Sequence, residues 1–93
     1  MSQIFKELEK IIAERRRQNC PSFYTCRLLS EGRLVERKLH EEAYELIEAA
    51  FNGEKKEIVY EAADLLFHFL VLLSKHDVAF QEVEAELIKR RRK

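Results

Sequence analysis

The chain has 93 residues, of which 46% are hydrophobic and 37% charged, and its 17 Lys and Arg balance 17 Asp and Glu. Zero net charge removes the broad basic field on which nucleic-acid and anionic-membrane binders depend, and so much apolar content excludes a disordered chain. A single domain over residues 1–93 is expected, yet a chain of this length buries only about 60–65% of its extended surface and is marginal by itself.

The opening MSQIFKELEKII is amphipathic and lacks the continuous apolar core of a signal peptide. Ser2 can cap a first helix reaching about Gln18, with Ile4, Phe5, Leu8, Ile11 and Ile12 as its apolar stripe. Arg15, Arg16 and Arg17 close it in the sense the helix dipole favours, which is preferred here over a phosphate-binding patch. Asn19 to Ser22 breaks the helix, since Pro21 disfavours helical geometry at the residue before it. Cys20 and Cys26 fit neither a disulfide framework nor a zinc ribbon and are expected as free thiols in a reducing cytoplasm.

Residues 23–32 predict a short second helix ending at Gly32, with Tyr24, Leu28 and Leu29 turned inward. Arg27 is either solvated or aimed at acidic residues elsewhere. A third helix is predicted from Leu34 to Asn52, stopped by Gly53. Its apolar stripe is Leu39, Ala43, Leu46, Ile47 and Ala50, with Glu42 at the stripe's edge, Glu45 and Lys38 just beyond, and Glu41 further out.

The fourth helix, about Glu54 to His76, contains EIVYEAADLLFHFLVLLS, apolar at almost every angle and therefore expected to be buried on all sides. Its longest apolar run is too short, and too interrupted by Asp64 and His68, to span a bilayer. Glu61, Asp64 and His68 follow i, i+3, i+7 and share one stripe; His68 reads best as a satisfied core histidine. A fifth helix, about Ala79 to Arg91, ends in a basic tail suited to its C-terminal dipole. The fold class is all-α, a bundle of about five helices, in a cytoplasmic protein with neither nucleic acid nor membrane as partner.

Carboxylates bordering a core need a cation or a hydrogen-bond partner, because burying them together raises their pKa values. Glu42 and Glu45 on one helix, with Glu61 and Asp64 on the next, describe a shared site for a hard cation. Oxygen-only ligands suit Mg2+, with Mn2+ as the alternative, far better than zinc. A di-iron bundle is the competing reading, but it needs Glu-x-x-His on two helices, and the histidines are missing here.

The EExxE of Glu41, Glu42 and Glu45, followed after fifteen residues by the ExxD of Glu61 and Asp64, resembles the signature of the all-α nucleoside-triphosphate pyrophosphohydrolases, the MazG-like superfamily. LEKIIAERRR, SFYTCRLLSEG, KLHEEAYELIEAAFNGEKKEIVYEAADLLFHFLVLL and VEAEL together resemble the phosphoribosyl-ATP pyrophosphohydrolase family of the HisE type, over nearly the whole chain. The resemblance implies Mg2+-dependent hydrolysis of phosphoribosyl-ATP to phosphoribosyl-AMP and pyrophosphate in histidine biosynthesis. It implies Glu42, Glu45, Glu61 and Asp64 as metal ligands and Glu41 as an outer ligand or water-orienting base. Tyr24, Arg27 and Lys38 become candidates for contacting the phosphates or phosphoribosyl group of a nucleotide substrate. It also implies a homodimer, or a higher oligomer, whose helices complete the site. Two departures lie beside the expected substrate position: a slightly shortened segment between Gly32 and Glu41, and His40 where the family commonly has glycine. The alternatives are a house-cleaning pyrophosphatase for a non-standard nucleotide and a non-catalytic helical interaction module.

Overall fold

The computed structural model describes residues 3–18 and 23–92. Five helices occupy them: α1 Gln3–Arg17, α2 Tyr24–Ser30, α3 Leu34–Asn52, α4 Lys55–Lys75 and α5 Phe80–Arg90. No strand occurs among the described residues, and the fold is all-α as expected. Ser2 as a cap and the break at 19–22 lie outside them. None of the described helices is long and apolar enough to cross a membrane.

The framework is a helical hairpin. Gly53 ends α3 at φ 73°, donating its amide to the Ala49 carbonyl at 3.0 Å, and α4 begins two residues later. A left-handed residue at this position suits glycine, which carries no Cβ. α3 and α4 make the most extensive pairing in the molecule, and α1 and α2 pack against α4. The core gathers at the end of the hairpin remote from that turn: Ile12, Leu28, Val35, Leu70, Val71 and Phe80, flanked by Phe5, Phe67 and Phe69. The Phe80 ring stacks on Phe5 at 4.7 Å between centroids.

Connections are pinned by side chains. Glu9 on α1 accepts the Phe80 amide at 2.7 Å and Glu82 accepts the Ala79 amide at 3.0 Å, so the first turn of α5 is capped from two helices. Past α4, Asp77 adopts φ 59° while Val78 donates to the Leu73 carbonyl and Asp77 to Ser74, a helix-ending geometry that usually selects glycine. Arg16 answers the strain by pairing with the Asp77 carboxylate and with the Ser74 carbonyl, and it holds the Asp77 carboxyl below its ordinary pKa. The middle arginine of the triplet therefore joins α1 to the end of α4.

Three expectations need correction. First, the buried residues of α3 are Val35, Glu42 and Ala49, whereas Ile47 and Ala50 of the predicted stripe are exposed. The face turned to this chain's own helices is rotated by about 80° from the apolar stripe, at 100° per residue. Second, α4 is not buried all round: His68, Leu70 and Val71 are enclosed, but Val59, Tyr60 and Leu66 are exposed. Residues 50–57 at the hairpin turn are all exposed, because α1, α2 and α5 cover only the opposite end. Third, Cys26 is not a free thiol but disulfide-bonded; it is buried at the start of α2, where that helix folds back on α1 with Sγ 3.6 Å from the Arg15 carbonyl. Cys20 lies outside the described residues.

Leu28 is wholly buried at the meeting of α2 with the core. Leu28→Ala is expected to cost about 2–5 kcal/mol, a fall of at least about 10 °C in Tm for a domain of this size. A thermal melt shifted by under about 3 °C would show that α2 does not close the core.

Candidate active site

Glu42 is the fixed point of the site. It occupies the middle of the buried line on α3 and is only 5% exposed. One turn later Glu45 lies nearer the surface, and Glu61 approaches from α4. One carboxylate oxygen from each of Glu42, Glu45 and Glu61 lies within 4.8 Å of the other two. Opposite ligands of an octahedral Mg2+ stand about 4.2 Å apart, at bond lengths of about 2.1 Å. Asp64, one turn beyond Glu61, faces Glu42 within hydrogen-bonding reach. The hairpin thus sets two acids of α3 against two of α4.

The electrostatics follow from that crowding. Hydrogen bonding to Asp64, burial, and the charges of Asp64, Glu45 and Glu61 push the Glu42 carboxyl up to about 7. The Glu61 carboxyl is also raised, by burial first and then by Glu45. Glu42 Oε1 and Glu61 Oε1 are buried and accept no hydrogen bond. Such orphaned oxygens are costly unless a cation or proton meets them. The donor set fits a hard divalent ion: oxygens only, converging, with two of them orphaned.

The other candidates are placed differently. Glu41 is exposed and pairs with Lys38 at 3.2 Å on its own helix. Arg27 turns onto Glu31 at 2.9 Å, one turn along α2, away from the carboxylates. Tyr24 is 43% exposed; its hydroxyl meets His68 Nε2 at 2.7 Å, and its pKa is raised by burial and then by Asp64, Glu42 and Glu41 against the pull of Lys38. His68 is 3% exposed, with Nδ1 2.8 Å from the Asp64 carbonyl, and so is a satisfied core histidine as expected. Both ring nitrogens are engaged, which leaves no histidine ligand for a di-iron site there. An open concavity lined by His40, Glu41, Tyr44 and Glu45 adjoins the acids. Neither Tyr44 nor the Tyr24–His68 link was legible as part of the site, because their significance depends on how α2 and α3 rotate against α4.

Proton linkage gives a sign. Folded Glu42 keeps its proton up to about 7, while the unfolded chain releases it near the ordinary value of about 4.3. Between those values the native state binds more protons, so stability falls as pH rises. Chelator-treated protein is expected to lose on the order of 10 °C in Tm between about pH 5 and pH 8. Glu42→Gln should flatten that profile and melt higher than the parent at the alkaline end. A parent profile that is flat or rises over the same range would contradict the crowding.

The family model described as phosphoribosyl-ATP pyrophosphohydrolase matches residues 5–91. A phosphoribosyl-ATP pyrophosphatase of Novosphingobium aromaticivorans is 46% identical over 89 residues, covering 95% of this chain and 83% of that protein. Another, of Pyrobaculum islandicum, is 45% identical over 91 residues, covering 97% of each. The histidine biosynthesis bifunctional protein HisIE of Pyrococcus furiosus is 46% identical over 91 residues, spanning 96% of this chain and 42% of that longer one. With the match running through both acid-bearing helices and almost from end to end, the chain belongs to the phosphoribosyl-ATP pyrophosphohydrolase family.

Proposed function

We propose that this protein hydrolyses the α–β phosphoanhydride of phosphoribosyl-ATP, giving phosphoribosyl-AMP and pyrophosphate in histidine biosynthesis, with Mg2+ bound by Glu42, Glu45, Glu61 and Asp64. The observation that carries the metal reading is the pair of buried, unpartnered oxygens on Glu42 and Glu61 inside a converging carboxylate cluster. A divalent ion there supplies charge neutralisation on phosphate oxygens and acidifies water. Mn2+ offers the same oxygen preference. The substrate reading rests on family membership and on the names of the relatives.

The chain's own residues divide the remaining work. Glu42, held by the hairpin, gives up its proton to bind the cation, and Glu61 meets the same ion from α4. Glu41, exposed beside Glu42, orients the attacking water. Lys38 leaves its pair with Glu41 to meet phosphate oxygens. Tyr24 contacts the substrate from the rim, and Arg27 leaves its pair with Glu31 to reach the outer phosphates.

A second copy of the chain completes the molecule. Tyr44, Ile47 and Phe51 follow i, i+3, i+7 on α3, and Val59, Ala63 and Leu66 follow i, i+4, i+7 on α4; all six are exposed. Phe51 is 83% exposed, a poor situation for a ring unless something covers it. The radius of gyration is 14.4 Å, against about 12 Å for a self-contained domain of this length. A homodimer burying these stripes answers both observations.

Pyrophosphate release with Mg2+ tests the substrate, comparing phosphoribosyl-ATP with ATP, dCTP and dUTP. Strong preference for phosphoribosyl-ATP is expected; preference for a simple nucleotide would replace the reading with a house-cleaning one. Glu45→Gln and Asp64→Asn should each lower kcat by at least about 100-fold, beyond the 10–100-fold typical of an outer-shell partner, while keeping helical circular dichroism. Near-normal turnover in either removes that residue from the ligand set. By sedimentation the parent should weigh twice the 11.1 kDa of one chain, and Phe51→Glu should shift it towards a single chain. A fully active monomer would contradict the dimer.

A further inference from the structure

The Tyr24–His68 contact carries more than packing. His68 stands on α4 between Asp64, one turn before it, and the core residues Leu70 and Val71. Its Nδ1 lies 2.8 Å from the Asp64 backbone carbonyl, which can only accept, so Nδ1 bears the proton. In the neutral imidazole Nε2 is then the acceptor, and the group it faces at 2.7 Å is the Tyr24 hydroxyl. The ring is packed edge-on against Phe67, with centroids 5.4 Å apart, and is itself buried. The hydroxyl thus spends its single proton on a fixed, buried partner.

We propose that His68 is a positioning residue for the hydrolysis: by accepting the Tyr24 proton it holds the phenol oxygen at the rim of the carboxylate site with only lone pairs facing the substrate. Tyr24 then meets the substrate as an acceptor. The group it takes is a donor, a sugar hydroxyl of the nucleotide, and not a phosphate oxygen. This deepens the functional reading above and rests on its placing of Tyr24 at the substrate. Burial, with Asp64, Glu42 and Glu41 and against the pull of Lys38, keeps the proton on the Tyr24 hydroxyl.

Two measurements decide it. The first uses no substrate: 15N NMR of His68 in the metal-free protein. The proposal expects the Nδ1–H tautomer, with an Nε2 signal that moves towards that of a free, unbonded nitrogen in Tyr24→Phe. An Nε2–H tautomer, or a signal indifferent to Tyr24→Phe, overturns the proposal. The second is steady-state hydrolysis of phosphoribosyl-ATP. Tyr24→Phe and His68→Leu should each raise KM by about 3- to 10-fold, the loss of one hydrogen bond, with kcat nearly unchanged. The double variant should be no worse than the worse single one. His68→Gln places an acceptor oxygen near the position of Nε2 and should restore KM, whereas His68→Asn, which can serve only Asp64, should not. Should His68→Leu fail to fold, the Gln and Asn variants decide alone. Additive losses, or a fall in kcat with unchanged KM, would mean that His68 acts through Asp64 and would overturn the proposal. A parent inert towards phosphoribosyl-ATP sinks the functional reading instead, while the NMR result still decides the hydrogen bond.

Discussion

Four carboxylates facing one another across a helical hairpin are the constraint on which the rest of the molecule depends. Glu42 cannot retreat to water, because it lies on the line of α3 that faces the core, and Glu61 is carried towards it by α4. Like charges so placed cannot all ionise without a counter-charge. The chain meets this in part by keeping a proton on Glu42, whose carboxyl rises to about 7. Lys38, the cation of α3 nearest these acids in sequence, is paired with Glu41 and not with the buried acids. What is left over is a demand for positive charge, concentrated where oxygens converge. That demand is the physical content of the proposed metal site.

Stability and function compete for the same hairpin. One end is clamped by α1, α2 and α5 around Leu28, Leu70 and Val71, and Lys75 on α4 pairs with Glu36 on α3 at 3.0 Å. That end is a conventional small core. The other end, around Gly53, carries exposed aromatic and aliphatic residues that none of the described residues covers. The acids lie between the two, rigid on one side and open on the other. Such a position suits a site that must be held accurately and still admit a nucleotide.

Much of this was legible in the sequence. Element boundaries were within a residue or two, because Gly53, the apolar periodicity and the polar breaks are local signals. The convergence of acids from α3 and α4 was legible because carboxylates repeating one turn apart on two apolar helices are hard to explain by solvation. The rotation of α3 was not legible. Its apolar stripe predicts a buried face, yet Val35, Glu42 and Ala49 turn to the chain's own core and the stripe lies partly outside. A periodicity says that a face is buried, not what buries it. The same limit made α4 look enclosed on all sides. The state of Cys26 was not legible, because two cysteines outside any framework spacing carry no signal of pairing. The Tyr24–His68 link was invisible for a different reason: it joins helices 44 residues apart, and no spacing rule reaches across such a distance.

The most direct test of the central claim is calorimetric titration of the protein with Mg2+ near pH 6.5 in two buffers of different ionisation enthalpy. A cation entering this site must displace the proton that the crowding keeps on Glu42, so the observed heat should differ between buffers by a substantial fraction of one proton per chain. Glu42→Gln should abolish that difference. Identical heats in the two buffers, or no binding at millimolar Mg2+, would show that these acids are not short of a cation.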